Sequence, residues 1–210
     1  MKRFLRDNGL TLALMGLFLF SLGGMAFTGL AAHNEELTHH GRQAIGIGAY
    51  LQGGAFLSAL FENWESEFLQ MATYVVLTAM LFQRGSAESR NPDSPGREND
   101  DLPWRDRHPA LAWLYERSLG LALAFLFVVS FALHWWFSVA AANEEAALHG
   151  REPKAQISYL ADPQLWFESF QNWQSEFLST ALLVVLSIFL RQRGSPESKP
   201  VAAGHSETGA

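Results

Sequence analysis

The chain has 210 residues, 49% of them hydrophobic, a formal charge of −6 and no cysteine. Its charges are gathered into a few segments instead of being interleaved with apolar residues at short period, which excludes an ordinary soluble domain. No basic patch serves nucleic acid, and without thiols there is neither a disulfide framework nor thiolate chemistry.

Lys2, Arg3 and Arg6 open the chain, and Leu10 to Ala32 follows as 23 residues without an ionisable group. That exceeds the roughly 20 residues that cross a bilayer. The run is too long for the apolar core of a signal peptide, and a counterpart later in the chain is internal, so it reads as a retained transmembrane helix. NEELTHHG comes next. With Asn34 as N-cap, acids in the first turn, histidine in the last and Gly41 as C′, it predicts a short capped interfacial helix. The same residues allow a second reading, because Glu36 and His40 are four apart and share a helix face suited to a divalent metal.

Residues 44–61 are uncharged, but their later counterpart holds Lys154, Asp162, Pro163 and Glu168, so no crossing is placed there. FENWESEFL then sets Glu62, Glu65 and Glu67 before an apolar run of 15 residues, Phe68 to Phe82. Such a run spans only about 22 Å, so the helix must reach back and carry Glu67 to the edge of the apolar slab. Helical spacing puts Phe61, Trp64 and Phe68 on an aromatic stripe and Asn63, Ser66, Glu67 and Gln70 on a polar one. Glu62 and Glu65 fall nearer the helix start, where water solvates them. A carboxylate at membrane depth is a functional candidate by default, and the competing reading leaves Glu67 among the headgroups. The linker that follows, residues 85–108, is rich in Pro, Gly and Asp and reads as disordered.

The rest of the chain repeats the first part. Sliding the sequence by 109 residues aligns 8–90 with 117–199 without a gap, with 35 identities in 83 positions. Leu119 to Ala142 repeats the first helix, interrupted only by His134, which is assigned to the aromatic interface beside Trp135 and Trp136. NEEAALHG repeats the acid–histidine pair as Glu145 and His149. The two pairs together would make a four-ligand site for Zn²⁺, as an option beside the plain capped helix. FQNWQSEFL repeats the polar stripe as Asn172, Ser175, Glu176 and Ser179, while Gln171 and Gln174 replace Glu62 and Glu65.

The expected fold is therefore an all-α integral membrane protein with four transmembrane helices, near 10–32, 64–83, 118–142 and 173–191. It consists of two parallel two-helix repeats, residues 1–84 and 109–193, with a polar linker and a disordered tail, residues 194–210. Of the 15 Lys and Arg residues, 12 lie at the N-terminus, in the central stretch around 83–118 or from Arg191 onwards, which places all three in the cytoplasm. The basic N-terminus, the AAxNEExxxHGR end of the first helix and the NWxSEF opening of the second resemble a family of uncharacterised bacterial membrane proteins. That resemblance implies bacterial origin and four crossings, and it assigns no catalytic residue.

Three functions fit the sequence. The first is a non-enzymatic membrane scaffold or stress-associated protein. The second is a small transporter or channel for protons or cations, using Asn63, Ser66, Glu67, Asn172, Ser175 and Glu176. The third is a metal-dependent membrane enzyme built on Glu36, His40, Glu145 and His149. No cofactor is expected beyond the optional divalent metal. The expected partners are the lipid bilayer and, as a homo-oligomer, further copies of the chain, with nucleic acid excluded.

Overall fold

The computed structural model describes residues 2–97 and 99–209, and among these every regular element is helical. In chain order they are α1 (Lys2–Asp7), α2 (Gly9–His39), α3 (Ile47–Tyr50), α4 (Gly54–Met80), α5 (Pro109–Glu116), α6 (Ser118–Leu148) and α7 (Pro163–Phe189), with a 3₁₀ turn at Ser158–Ala161 before α7. Two of these, α2 and α6, are long and apolar enough to cross a membrane, at 31 residues each. Their surfaces leave Leu10, Phe20 and Phe27, and Phe125 and Val128, exposed. A helix that is apolar all round suits hydrocarbon better than water.

The chain divides into two compact units, Met1–Leu60 with Leu133–Ala161 and Phe61–Ala132 with Asp162–Ala210. Neither unit is one sequence repeat. The first collects both NEE…HGR segments, and the second collects both NWxSEF and both QRGSxES segments.

In the first unit, Ala26, Tyr50 and Phe56 form the core. Gly29 admits the Tyr50 hydroxyl, which would lie 2.2 Å from any added Cβ. Gly54 brings the start of α4 onto the backbone of α6, where a Cβ would lie 2.5 Å from the Ala141 nitrogen. One turn on, the Ser58 and Ser138 hydroxyls bond at 2.6 Å. The expected short NEE helices are not separate elements, because α2 and α6 run straight through Asn34 and Asn143. Extending a formed helix needs no new nucleus, so the asparagines are free to satisfy the returning loop. Asn34 donates to the Ile45 carbonyl at 3.0 Å and accepts from its N–H at 2.7 Å. Asn143 makes the same two bonds to Lys154, at 3.1 and 2.7 Å.

The glycine stops behave as expected. Gly41 and Gly150 take φ of 70° and 63°, and the bonds from Arg42 N–H to Leu37 O and from Arg151 N–H to Ala146 O, both 2.8 Å, close a Schellman turn at each end. His134 departs from expectation: it is 0% exposed, while its neighbour Trp136 is 58% exposed.

In the second unit, α4 and α7 run parallel, and Phe127 and Phe131 of α6 lie against Trp173 and Trp166 of α7. Both α4 and α7 are 27 residues long and start well before 64 and 173, so NWxSEF lies inside each helix and does not open it. At α7 the start is set by Pro163 in the first turn and by Asp162, whose side chain accepts from Gln164 N–H at 3.0 Å. After α4 and in the tail, two cations bond to the chain around them. Lys199 is 1% exposed and donates to the carbonyls of Gly204, His205 and Glu207 at 3.0, 3.2 and 2.9 Å. Arg84 grips Asp93 through both nitrogens, at 2.6 and 3.0 Å. Lysine and arginine there give backbone carbonyls and a carboxylate partners other than water.

Gly54→Val should cost about 1–3 kcal/mol, because the added branch meets backbone that cannot turn aside. Gly48→Val, where nothing lies within 4 Å of the Cβ, should leave stability unchanged. Thermal unfolding in detergent, followed by tryptophan emission, checks the pair.

Candidate functional site

Residues three or four apart share a helix face, while residues two apart point about 200° away from each other. Glu62, Glu65 and Ser66 therefore travel together on α4, and Glu67 cannot join Glu65. Glu65 is 0% exposed and Ser66 3%, while Glu67 is exposed. The expected order of burial is reversed. Position along the axis sets the depth of a residue, but rotation decides which residue meets the neighbouring helix.

The neighbour in this unit is α7. Ser169 donates to Glu65 Oε1 at 2.7 Å, and the Trp173 indole N–H donates to the same oxygen at 3.2 Å. Asn172 donates to Glu62 Oε1 and to the Glu168 carbonyl, the latter at 3.1 Å. Carboxylate oxygens of Glu62 and Glu168 lie within 4.8 Å of each other. A wall of rings closes round Trp173: Phe170 at 5.2 Å, Phe127 at 6.3 Å and Trp166 at 6.5 Å between centroids. In so apolar a setting each hydrogen bond to a carboxylate is strengthened.

The polar seam continues towards the C-terminal ends of the two helices. Gln70 donates to the Thr180 hydroxyl, and the Tyr74 hydroxyl donates to Glu88 Oε2 at 2.8 Å. A cavity of about 470 Å³, lined by Gln70, Tyr74, Thr78, Thr180 and Glu88 among others, joins these bonds. Glu88 belongs to QRGSAES, and Glu197 holds the same place in QRGSPES, within hydrogen-bonding reach of it. Burial pushes the Glu88 carboxyl above its ordinary value of 4.5. The Tyr74 hydrogen bond opposes this rise, while the bond and charge of Glu197 add to it.

Of the six residues expected from sequence to serve a transport site, Asn172 enters the carboxylate contacts and Ser66 is buried, its hydroxyl donating to Asn63 O at 2.8 Å. Asn63 and Ser175 are exposed. Glu176 is half-buried, within electrostatic range of the exposed Glu67. Of the metal candidates, His40 and His149 meet, with ring centroids 4.9 Å apart. Among the described residues, Glu36 and Glu145 do not join them to make a group of three ligands. The sequence reading passed over Glu65, Glu168 and Ser169. It also passed over the Glu88–Glu197 pair, although the QRGSxES identity quoted for the repeat contains both acids.

Domain of unknown function (DUF6766) matches residues 1–210, and the chain belongs to that family. No curated protein and no solved structure matches it.

Glu65→Ala should destabilise by about 1–3 kcal/mol for each buried donor left unpaired, with a shift in tryptophan emission reporting Trp173. Glu67→Ala should stay within about 0.5 kcal/mol. A second prediction concerns pH. The folded protein favours the acid form of Glu88, so the stability it contributes is present below pH 4.5 and is lost as pH rises through the raised value. The tail is bonded to the adjacent loop through Gly209 N–H and Ser86 O at 2.9 Å. Its protease sensitivity should therefore increase as pH rises from 4.5, and Glu88→Gln should remove that dependence.

Proposed function

We propose that the chain is a four-span protein of the bacterial cytoplasmic membrane, and that the seam between α4 and α7 passes protons or small cations. α2, α4, α6 and α7 are the crossings in this reading. They form two parallel two-helix repeats, with the linker and both termini on the cytoplasmic side. The apolar lengths of α2 and α6, the repeat in the sequence and the lysine–arginine bias support the topology.

The observation that carries the transport reading is Glu65: a carboxylate with no exposed surface, inside a helix pair flanked by apolar runs, bonded by Ser169 and Trp173. An intramembrane acid is expensive and marks an ion path more often than a packing convenience. Fifteen residues separate Glu65 from the end of α4 at Met80, about 22 Å along the helix, so Glu65 falls in the outer part of a slab roughly 30 Å thick whose inner face lies past Met80. Glu88 and Glu197 then lie at the inner mouth. Gln70, Thr180 and Tyr74 lie between, with the cavity beside them. Glu67 and Glu176, expected to form the intramembrane pair, take a peripheral role at the outer edge.

The scaffold reading keeps one observation in its favour. Glu65 takes its hydrogen bonds from the protein itself, as a static strut would. Flux separates the two. In reconstituted vesicles under an imposed potential, Glu65→Gln should lower proton or cation flux at least tenfold while keeping the folded emission spectrum. Glu67→Gln and Glu176→Gln should stay within about twofold of the wild type. Wild-type vesicles no leakier than protein-free ones would leave the scaffold. For topology, Ser94→Cys should resist an impermeant thiol reagent in intact cells, and labelling there would overturn the assignment.

A further inference from the structure

In the first unit, the two copies of HGR bring His40 and His149 into edge contact, with ring centroids 4.9 Å apart and planes at 69°. Each ring is oriented in the same way. His40 Nδ1 lies 2.9 Å from the Glu36 carbonyl, and His149 Nδ1 lies 2.9 Å from the Glu145 carbonyl. A carbonyl oxygen can only accept, so each Nδ1 donates, and in the neutral ring this leaves Nε2 as the atom with the lone pair. Fixing one ring nitrogen on a carbonyl is how proteins orient a metal-binding histidine.

We infer that His40 and His149 form a two-histidine site for a zinc-class divalent cation. The spacing supports it. A metal–nitrogen bond of about 2.1 Å and a ring radius of about 1.1 Å put each centroid roughly 3.2 Å from a bound ion. Two such rings 4.9 Å apart subtend roughly 100° at the ion, near the tetrahedral value. The frame is built in advance on both sides: Schellman turns at Gly41 and Gly150 end the helices next to the rings, and the Asn34 and Asn143 clamps hold the loops that follow. Glu36 and Glu145 stand outside the ring pair, so the remaining coordination positions go to water. Imidazole nitrogens with open water positions suit Zn²⁺, and Cu²⁺ more tightly still. The site is independent of the transport seam, which lies in the other unit.

The test uses the full chain in detergent, stripped with a chelator and titrated with Zn²⁺ in a calorimeter. One ion per chain is expected. His40→Ala and His149→Ala should each weaken binding at least tenfold, and the double variant should add little to either. His39→Ala removes a neighbouring exposed histidine and should bind as the wild type. With Cu²⁺ as a second probe, electron paramagnetic resonance should show two coordinating ring nitrogens in the wild type and one in each single variant. Equal binding by the wild type and the double variant, or equal weakening by His39→Ala, overturns the site, as does a Cu²⁺ spectrum with a single nitrogen.

Discussion

Burial of the Glu65 carboxylate fixes the rotation of α4 against α7. A carboxylate cut off from water and from donors costs several kcal/mol, far more than repacking an aliphatic side chain. Turning α4 by one residue, about 100°, would carry Glu65 away from Ser169 and Trp173 and break both bonds. Leucine and valine along the apolar run tolerate many rotations with similar burial, so they cannot choose among them. The acid can, and Glu67, two residues on, is turned outward as a consequence.

Much of the fold was legible because it rests on local physics. The 23- and 24-residue uncharged runs became α2 and α6, and Gly41 and Gly150 became left-handed stops, since no other residue takes that φ as readily. Where the reading went astray, the deciding interaction was distant in sequence. Asn34 looks like a cap by composition, and only the position of Ile45 reveals it as a clamp on the loop. Glu65 and Glu67 are equally plausible from sequence, because depth can be counted along a chain and rotation against a partner cannot.

The two copies share their termini and differ in the middle. Their glycine stops, their asparagine clamps and the bonds from Gln83 N–H to Ser89 and from Gln192 N–H to Ser198, both 2.8 Å, recur at positions 109 apart. The acidic contacts do not recur. Glu62 and Glu65 face α7, while their counterparts Gln171 and Gln174 are exposed. On α7 the partners Glu168 and Ser169 stand where the first copy has Ala59 and Leu60. Glutamine at 171 and 174 therefore does not show that the acids of the first copy are dispensable. It shows that those two positions of the second copy lie off the shared face, where an amide serves as well as an acid. A duplicated chain can specialise in this way: one set of positions keeps the frame identical while another concentrates the charge at a single site.

The composition of the seam also limits what could move along the proposed route. Acids stand at its two ends, and its middle is made of hydroxyls and one amide. A bare cation in that middle would lose its water shell without gaining a counter-charge, a cost that two hydroxyls do not offset. A proton is different, because a hydroxyl can accept one and release another, and Thr180 and Tyr74 both have that capacity. Gln70 does not, since its amide donates and accepts without readily exchanging a proton through itself. The Gln70–Thr180 bond is thus the weak step of a dry relay, and a bridging water in the mostly apolar cavity of about 470 Å³ beside it would have to be held by the few polar groups there, Gln70, Tyr74 and Thr180 among them. On these grounds the seam suits protons better than metal ions, and the narrowest decision along it belongs to an uncharged residue.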